Sequence, residues 1–351
     1  MHIHNFSAGP CILPQQVLQG AADAVLEFGD MGLSLIEISH RTPEFEGVME
    51  EARGLVKELL GLPERFDVLF LQGGATLGFY TVPMNFLPEG GKAAYVDTGT
   101  WAAGAIKEAR MVGTVDVVAS SAASNHNHIP KGYVVPEDAA YLHVTTNNTI
   151  FGTQYHPYPT APVPLIADMS SDIFSRTFDP EPYVCIYAGA QKNMGPAGTV
   201  LYIVDREALG KAGRKIPTYL DLAQHLSKDS MLNTPPVFSV YATLLTLRWM
   251  KEQGGVPALE ARNRAKAELL YAEIDRNSRF VGHAVPEDRS WMNATFTLAQ
   301  PEDASAFDRA WQAAGISGLT GHRSVGGYRA SMYNALPLSS VEALVHVMAT
   351  F

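Results

Sequence analysis

The amino-acid sequence predicts an α/β fold with a mainly parallel central sheet. Apolar, strand-like runs alternate with helical patterns along the chain, which is typical of parallel strands joined by crossover helices. Several of these runs end in small or polar residues, as strands do where an open parallel sheet presents ligands. With 351 residues, 46% of them hydrophobic, the chain is long enough for a large domain and a smaller one.

Six apolar runs are predicted strands of the large domain. They lie at 67–72, 93–96, 139–144, 163–168, 183–189 and 199–204. Helical patterns follow at 238–250 and, with mixed charges on the solvent face, at 257–277. A strand at 290–299 and helices at 303–315 and 339–351 complete the chain. We therefore predict a large cofactor-binding domain over 16–260 and a small α+β domain formed by 1–15 and 261–351.

Composition and charge exclude several classes of protein. The net charge is −10 and the chain has no basic tract, so we expect no nucleic-acid partner. The two cysteines, Cys11 and Cys185, are far apart and predict neither a disulfide framework nor a metal site. The N-terminus does not read as a signal peptide, and the uncharged stretch 139–167 is interrupted by prolines, so we expect no membrane span and a cytoplasmic location.

Lys192 is the first candidate for chemistry. It lies in "YAGAQKNMGPAG" (187–198), a turn of small residues directly after an apolar run. A lysine in a glycine-containing turn is usually a solvated surface residue. Next to a packed core, however, desolvation favours the neutral amine, which can condense with a carbonyl group as a Schiff base. The motif is therefore compatible with an aldehyde cofactor.

Asp168 ends the predicted strand "VPLIAD" (163–168). A carboxylate in this position often only caps a helix or forms a turn. The functional alternative is a buried anion that pairs with a protonated ring nitrogen. Because the carboxyl ends of parallel strands meet at one edge of a sheet, Asp168 and Lys192 are expected to face one pocket.

Three further segments could hold a flat, phosphorylated ring. In "QGGAT" the amides of Gly74, Ala75 and Thr76 precede a predicted helix and could bind an anion, although both nucleotide-binding glycine fingerprints are absent. Trp101 could stack on a ring or lie in the core. Thr149 could hydrogen-bond a ring substituent or simply form a turn.

The cations cluster in two short segments. "EISHRTPEF" (37–45) and "GHRSVGGYR" (321–329) contain the candidates His40, Arg41, His322, Arg323 and Arg329. Each could belong to an ordinary surface salt bridge. Together they suggest a substrate with two anionic groups, since guanidinium groups bind carboxylate and phosphate in a bidentate manner.

With these segments combined, the chain resembles the phosphoserine aminotransferases, a family of class V pyridoxal-phosphate-dependent aminotransferases, over essentially its whole length. The resemblance is carried by motifs such as "NFSAGPCILP", "ISHRTPEF", "NNTIFGTQ", "YAGAQKNMGPAG", "MLNTPPVFSVY" and "GHRSVGGYRASMYNA". It implies the aspartate aminotransferase-like fold (fold type I) and pyridoxal 5'-phosphate as the cofactor. It also implies transfer of an amino group between L-glutamate and 3-phosphohydroxypyruvate in serine biosynthesis, and leaves open a related step of pyridoxine biosynthesis.

The resemblance also assigns roles to the candidate residues. It implies that Lys192 forms the Schiff base, that Asp168 pairs with the pyridine nitrogen, that Trp101 stacks on the ring and that Thr149 contacts the ring hydroxyl. Ala75, Thr76 and Gln191 would contact the cofactor, mainly its phosphate. Asn233 and Thr234 would reach the cofactor phosphate of the neighbouring subunit, which implies a homodimer with shared active sites. Arg41 and Arg329 would be the principal substrate arginines, with His40, His322 and Arg323 nearby.

Two departures from the family pattern bear on the site. Thr76 stands where many members have an arginine, so one positive charge near the phosphate is lost. Ala8 stands where members have a serine, so a serine contact to substrate is absent. The alternatives are another class V enzyme and a non-catalytic phosphate- or nucleotide-binding α/β protein. A cysteine desulfurase is disfavoured because no cysteine follows Cys185.

Overall fold

The central sheet of the protein has seven strands, in a computed structural model that describes residues 3–351. The strands of the chain are β1 His4–Asn5, β2 Phe66–Gly73, β3 Lys92–Asp97, β4 Thr114–Ser120, β5 Leu142–Thr145, β6 Asn147–Asn148, β7 Thr153–Gln154, β8 Leu165–Asp168, β9 Tyr183–Gly189, β10 Gly198–Asp205, β11 Phe280–Gly282, β12 Asn293–Leu298, β13 Ile316–Ser317 and β14 Tyr328–Ser331. Their order in the central sheet is β2-β10-β9-β8-β5-β3-β4. Only β10 runs against its neighbours, so the prediction of a mainly parallel sheet is confirmed.

Helices cover both faces of this sheet. They are α1 Gln15–Leu26, α2 Pro43–Leu60, α3 Ala75–Phe86, α4 Thr100–Ala109, α5 Ala190–Asn193, α6 Leu222–Leu226, α7 Val237–Glu252, α8 Gly255–Arg276, α9 Ala304–Ala313 and α10 Leu338–Thr350. α2 shows why they begin and end where they do. Thr42 accepts a hydrogen bond from the Phe45 amide, Pro43 occupies the first turn, and Gly61 ends the helix with a φ of 60°. None of the helices in the described residues is long and apolar enough to cross a membrane.

The strand side chains alternate between two hydrophobic layers. On β2, Val68 and Phe70 pack into the layer that contains α2 and α7, whereas Leu69 and Leu71 pack into the layer that contains α3 and α4. Because both faces are covered, the strands are almost uniformly apolar. Polar side chains are therefore left to the strand ends, where the candidate site lies.

A third hydrophobic cluster lies in the C-terminal part of the chain. It includes Phe6 from the N-terminal segment together with residues of α8, β12, β14 and α10. The sheet β11-β12-β14 is antiparallel, and β1 pairs in parallel with β13. The predicted domain boundary at 260 falls inside α8. Leu259 of this helix packs in the hydrophobic layer that contains α2 and α7, whereas Leu270 packs in the third cluster. The division into 16–260 and 1–15 plus 261–351 remains a prediction.

Candidate active site

The carboxyl ends of the parallel strands surround a cavity of about 120 Å³. Its lining residues are Gly74, Ala75, Thr76, Phe79, Trp101, Thr145, Asn147, Asp168, Ser170, Ser171, Gln191 and Lys192. They come from the ends of β5 and β8, from the segments that follow these strands, and from the helices α3, α4 and α5 that follow β2, β3 and β9. The sheet thus brings together residues that are up to 118 positions apart, from Gly74 to Lys192.

Asp168 lines this cavity from the end of β8 and is 4% exposed. Its Oδ1 accepts hydrogen bonds from the Ser170 amide at 2.9 Å and from Ser170 Oγ at 2.6 Å. Burial raises the pKa of the Asp168 carboxyl, while the bonds from Ser170 and the charge of Lys192 oppose that rise. Asp168 therefore both shapes the turn and holds a buried acidic group that can balance a cation in the cavity.

Lys192 lies in the short helix α5, directly after β9. Its Nζ donates to Thr149 Oγ1 at 2.5 Å and lies 5.4 Å from the centroid of the Trp101 ring. Burial lowers the pKa of Lys192 to about 8; Asp168 opposes this effect and the positive charge of Arg329 adds to it. Near pH 8 the amine is thus neutral for much of the time and can act as a nucleophile or base.

The N-terminus of α3 forms the opposite wall of the cavity. The helix begins at Ala75 after Gly74, with no side-chain cap and no acidic residue in its first turn. Its first amides are therefore available to an anion. A Cβ on Gly189 would lie 2.8 Å from Gln191 Oε1 and 3.4 Å from the Ala75 amide nitrogen, so Gly189 lets the lysine turn approach this helix closely.

Two polar atoms next to the cavity are buried without a partner in the described residues, Trp101 Nε1 and Thr145 Oγ1. Unpaired buried donors and acceptors are costly unless a ligand satisfies them. The remaining features are an amine, a buried carboxyl group, an indole ring and a free helix N-terminus. This set fits pyridoxal phosphate, which has an aldehyde, a basic ring nitrogen, a flat ring and a phosphate. Within residues 3–351 no cluster of His, Cys, Asp or Glu could hold a metal ion.

The candidate substrate residues lie outside the cavity lining. Arg329, in β14, places Nη1 3.5 Å from the Thr149 carbonyl oxygen, and its Nε is buried without a partner in the described residues. Burial lowers the pKa of His322, and the charges of Arg329 and Arg323 lower it further, so a mainly neutral imidazole lies near two arginines. Of the three, Arg329 lies next to the cavity, because Thr149, whose carbonyl oxygen it contacts, also accepts a hydrogen bond from Lys192 Nζ.

Four further predicted site residues lie outside the cavity lining. His40 and Arg41 are absent from the cavity lining. Asn233 and Thr234 lie beside the end of β2, where Gln72 Nε2 donates to the Thr234 carbonyl oxygen at 2.7 Å and Asn233 Nδ2 lies 3.4 Å from Gln72 Oε1. None of these four residues lines the cavity that contains Lys192.

Several residues of the site have no clear signal in the sequence. Ser170 bridges Asp168 Oδ1 and the Gly189 amide, and only its place in "DMSSD" directly after the strand could have indicated this. Cys11 donates its thiol to the Lys192 carbonyl oxygen at 2.5 Å, which no local pattern predicts. Burial raises the pKa of this thiol to about 12, so it is not a reactive nucleophile. That agrees with the expectation against a cysteine desulfurase.

Comparisons with known proteins test the resemblance. The family model for class-V aminotransferases matches residues 3–344. The chain belongs to this family. It is 61% identical to the phosphoserine aminotransferase of Flavobacterium psychrophilum over 99% of this chain and 98% of the relative. It is 54% identical to the phosphoserine aminotransferase of Bacteroides thetaiotaomicron over 100% of this chain and 99% of the relative.

Solved structures of the family are similar over the same length. Phosphoserine aminotransferase from Bacillus circulans subsp. alkalophilus is 44% identical, with a TM-score of 0.95 over 99% of this chain and 98% of that one. The pyridoxal-phosphate-bound phosphoserine aminotransferase from Trichomonas vaginalis is 36% identical, with a TM-score of 0.93 over 99% of this chain and 100% of that one. An aspartate aminotransferase from Thermus thermophilus, 18% identical with a TM-score of 0.78, shares the fold. The predicted family and fold are thus confirmed.

Proposed function

We propose that this family member is a pyridoxal-phosphate-dependent transaminase that moves the amino group between L-glutamate and 3-phosphohydroxypyruvate, giving O-phospho-L-serine and 2-oxoglutarate. The observation that carries the proposal is the cavity that joins the Lys192 amine, the Asp168 carboxyl group and the N-terminus of α3. Similarity to phosphoserine aminotransferases at up to 61% identity over nearly the whole chain supports the choice of substrates.

When bound, the cofactor supplies a carbonyl group for the substrate amine and an electron-accepting ring. The protein contributes binding and proton transfer. The Lys192 amine, with its pKa near 8, takes up the proton from the substrate Cα and releases it again within the cavity. Asp168 provides a buried negative charge opposite this amine, and Ser170 keeps its Oδ1 in place. The free amides at the start of α3 bind a phosphate group.

The cationic side chains around the cavity would bind the substrate. Both proposed substrates have two anionic groups. Arg329 is the best placed for the carboxylate that they share, since it lies beside Thr149 and its Nε is buried without a partner in the described part of the chain. His322 and Arg323 would then bind the distal carboxylate or phosphate, together with His40 and Arg41.

The same site supports a homodimer with shared active sites. Asn233 and Thr234 lie outside the cavity of their own chain, and the proposal is that they reach the cofactor phosphate in the partner subunit. Apolar side chains that a dimer could cover are exposed on the N-terminal segment: Leu26 is 82%, Ile36 is 62% and Leu33 is 47% exposed. We further propose a cytoplasmic location, since the chain has two unpaired cysteines, and no nucleic-acid partner, given the net charge of −10.

A labelling experiment separates catalysis from simple phosphate binding. The protein is incubated with pyridoxal phosphate and reduced with borohydride, and the labelled peptide is identified by mass spectrometry. Label on Lys192 is expected, and Lys192→Ala should lose both the label and turnover. The control, Lys211→Ala, changes an exposed lysine and should retain both. A Lys192→Ala protein that transaminates at the native rate would contradict the assignment.

A coupled assay then tests the substrate. Release of 2-oxoglutarate from glutamate is followed with 3-phosphohydroxypyruvate and with its unphosphorylated analogue. We expect a large preference for the phosphorylated acid, because the side chains proposed to bind its phosphate would have no anionic partner in the unphosphorylated analogue. Equal rates with the two acids would rule out this substrate assignment and leave the wider class of transaminases.

A further inference from the structure

A buried asparagine on β12, Asn293, connects the strand that carries Arg329 to the wall of the cavity. Asn293 lies opposite Ser331 of β14. Two residues along each strand, Thr295 lies opposite Arg329. Opposite and alternate residues of paired strands project from the same face of a sheet, so these four side chains share one face. This face packs against the segment that follows β5, where Arg329 Nη1 is 3.5 Å from the Thr149 carbonyl oxygen.

The side-chain amide of Asn147, which lines the cavity, has an orientation that Ser290 fixes. Ser290 Oγ accepts hydrogen bonds from the Met292 and Asn293 backbone amides at 3.0 and 2.9 Å. Both of its lone pairs are then used, so its hydrogen is donated to Asn147 Oδ1, at 2.5 Å. Asn147 Nδ2 therefore faces the other way and donates to Ser171 Oγ and to Asn293 Oδ1, both at 2.8 Å.

The orientation of Asn293 follows from that of Asn147. Because Asn293 Oδ1 accepts from Asn147, its Nδ2 points towards β14 and the residues after it. There it donates to Ser331 Oγ at 2.9 Å and to Tyr333 Oη at 3.3 Å. Asn147, Asn293 and Ser331 are each at most 2% exposed. Every N–H and both Oδ1 atoms of the two asparagine side chains are hydrogen-bonded, and a saturated buried network of this kind holds its members in one arrangement.

We propose that Asn293 is a positioning residue that sets the place of Arg329 relative to the cavity and thereby controls how tightly the carboxylate shared by both substrates is bound. This inference rests on the proposed function and deepens it. Ser331 lies two residues beyond Arg329, so the bond from Asn293 to Ser331 fixes β14 beside Arg329. The bond from Asn293 to Asn147 connects that strand to the cavity lining. A guanidinium group binds a carboxylate in a bidentate manner only at a defined distance and angle, so a shift of β14 would weaken binding.

Asn293→Leu removes both connections with a side chain of similar size. Asn147 keeps its bonds to Ser171 and Ser290, so the cavity wall should stay in place and the affinity for the cofactor should hardly change. KM for glutamate and KM for the phosphorylated substrate should both rise by roughly five- to twentyfold, with kcat little changed. Ser331→Ala should raise both KM values by a smaller factor, because Asn293 then keeps its bond to Asn147.

The test compares Asn293→Leu, Arg329→Leu and the double variant with the unaltered full-length holoenzyme. One readout is kcat and KM for each substrate. The other requires no turnover: it is the dissociation constant of glutarate, which has the carbon chain and both carboxylates of glutamate but no amino group, measured by isothermal titration calorimetry. The matched control is Asn277→Leu, which removes an asparagine that donates to Glu273 Oε1 and to the Met348 carbonyl oxygen.

Glutarate should bind Asn293→Leu roughly five- to twentyfold more weakly than it binds the unaltered protein. Asn277→Leu should bind it as tightly as the unaltered protein does. In the Arg329→Leu protein, Asn293→Leu should cause no further loss of affinity, because Asn293 acts through Arg329.

Two results would overturn the inference. The first is Asn293→Leu with unchanged KM values and an unchanged glutarate dissociation constant, which would mean that Asn293 supports only the stability of the fold. The second is losses that add in the double variant, which would mean that Asn293 does not act through Arg329. If Asn293→Leu does not fold, Ser331→Ala takes its place under the same two criteria.

The glutarate measurement also separates this inference from the proposed function. A protein that binds glutarate in the expected pattern but does not transaminate 3-phosphohydroxypyruvate would refute the proposed function and support the role of Asn293. An unaltered protein that transaminates but does not bind glutarate would refute the role of Asn293 and support the proposed function.

Discussion

The Lys192 amine should titrate more than two pH units below an ordinary lysine. Burial lowers its pKa from 10.5 to about 8. At pH 7.5 about a quarter of the amine would then be neutral, against about one part in a thousand at the ordinary value. Because the pKa in the folded protein lies below that of the unfolded chain, reactivity of the amine should rise steeply between about pH 7 and pH 9 and then level off.

Asp168→Asn is the perturbation that tests the cause of this pKa. The charge of Asp168 is the largest influence that opposes the lowering, so its removal should move the Lys192 pKa below about 8. The neutral fraction at pH 7.5 can then rise by at most about fourfold, from about a quarter to nearly all. Asparagine retains an oxygen that can accept from Ser170, so the turn should persist. Turnover should nevertheless fall by at least about a thousandfold, because an amide cannot balance a charged ring nitrogen.

The assay measures acylation of Lys192 in the cofactor-free protein from pH 6 to pH 10, with the peptide that contains exposed Lys211 as an internal reference. A wild-type Lys192 midpoint near 10.5 would show that burial does not control this amine. A midpoint that rises in Asp168→Asn would show that the two groups do not interact as the structure indicates.

Three further predictions concern binding and stability. Arg329→Leu should raise KM for both glutamate and the phosphorylated substrate by about ten- to a hundredfold, because both have an α-carboxylate. A rise in KM for the phosphorylated substrate alone would refute the role of Arg329 in binding the α-carboxylate. Ser170→Ala should lower kcat and also lower the free energy of unfolding in urea by about 1–3 kcal/mol, because Asp168 and the buried Gly189 amide both lose a hydrogen-bond partner. An unchanged kcat would contradict the positioning role of Ser170. Lys266 is 1% exposed and donates hydrogen bonds to the carbonyl oxygens of Met332, Tyr333 and Leu336. Lys266→Met should therefore lower the free energy of unfolding by about 2–4 kcal/mol. An unchanged free energy of unfolding in urea would show that these hydrogen bonds contribute nothing to stability.

The pH dependence of Lys266 provides a separate test of its burial, which lowers its pKa to about 7. The folded-state pKa lies below the unfolded value, so the folded protein binds this proton less tightly than the unfolded chain. The contribution of Lys266 to stability should therefore increase as the pH rises from about 7 towards 10. Unfolding free energies of wild type and Lys266→Met over this range should diverge accordingly, and parallel curves would contradict the prediction.

Much of the site could be predicted from the sequence because its residues lie at strand ends. Asp168 and the segment before Lys192 end uniformly apolar runs, and the N-terminus of α3 follows another. In a parallel sheet these ends converge, so local patterns were sufficient to place the three groups around one cavity. Motifs such as "GAQKN" then indicated the family, which the comparisons confirmed.

The sequence by itself predicted six strands of the central sheet and the helices α7 to α10, because backbone propensity and burial pattern are local, whereas β4, α1 and α2 were not predicted. Only the tertiary structure decided how distant segments meet. The bonds from Tyr333 to Ala8, from Cys11 to Lys192 and from Lys266 to the chain after β14 join residues with no shared periodicity. Such contacts depend on how the C-terminal part packs against the central sheet. That packing is fixed by the summed burial of many side chains, which no single segment encodes.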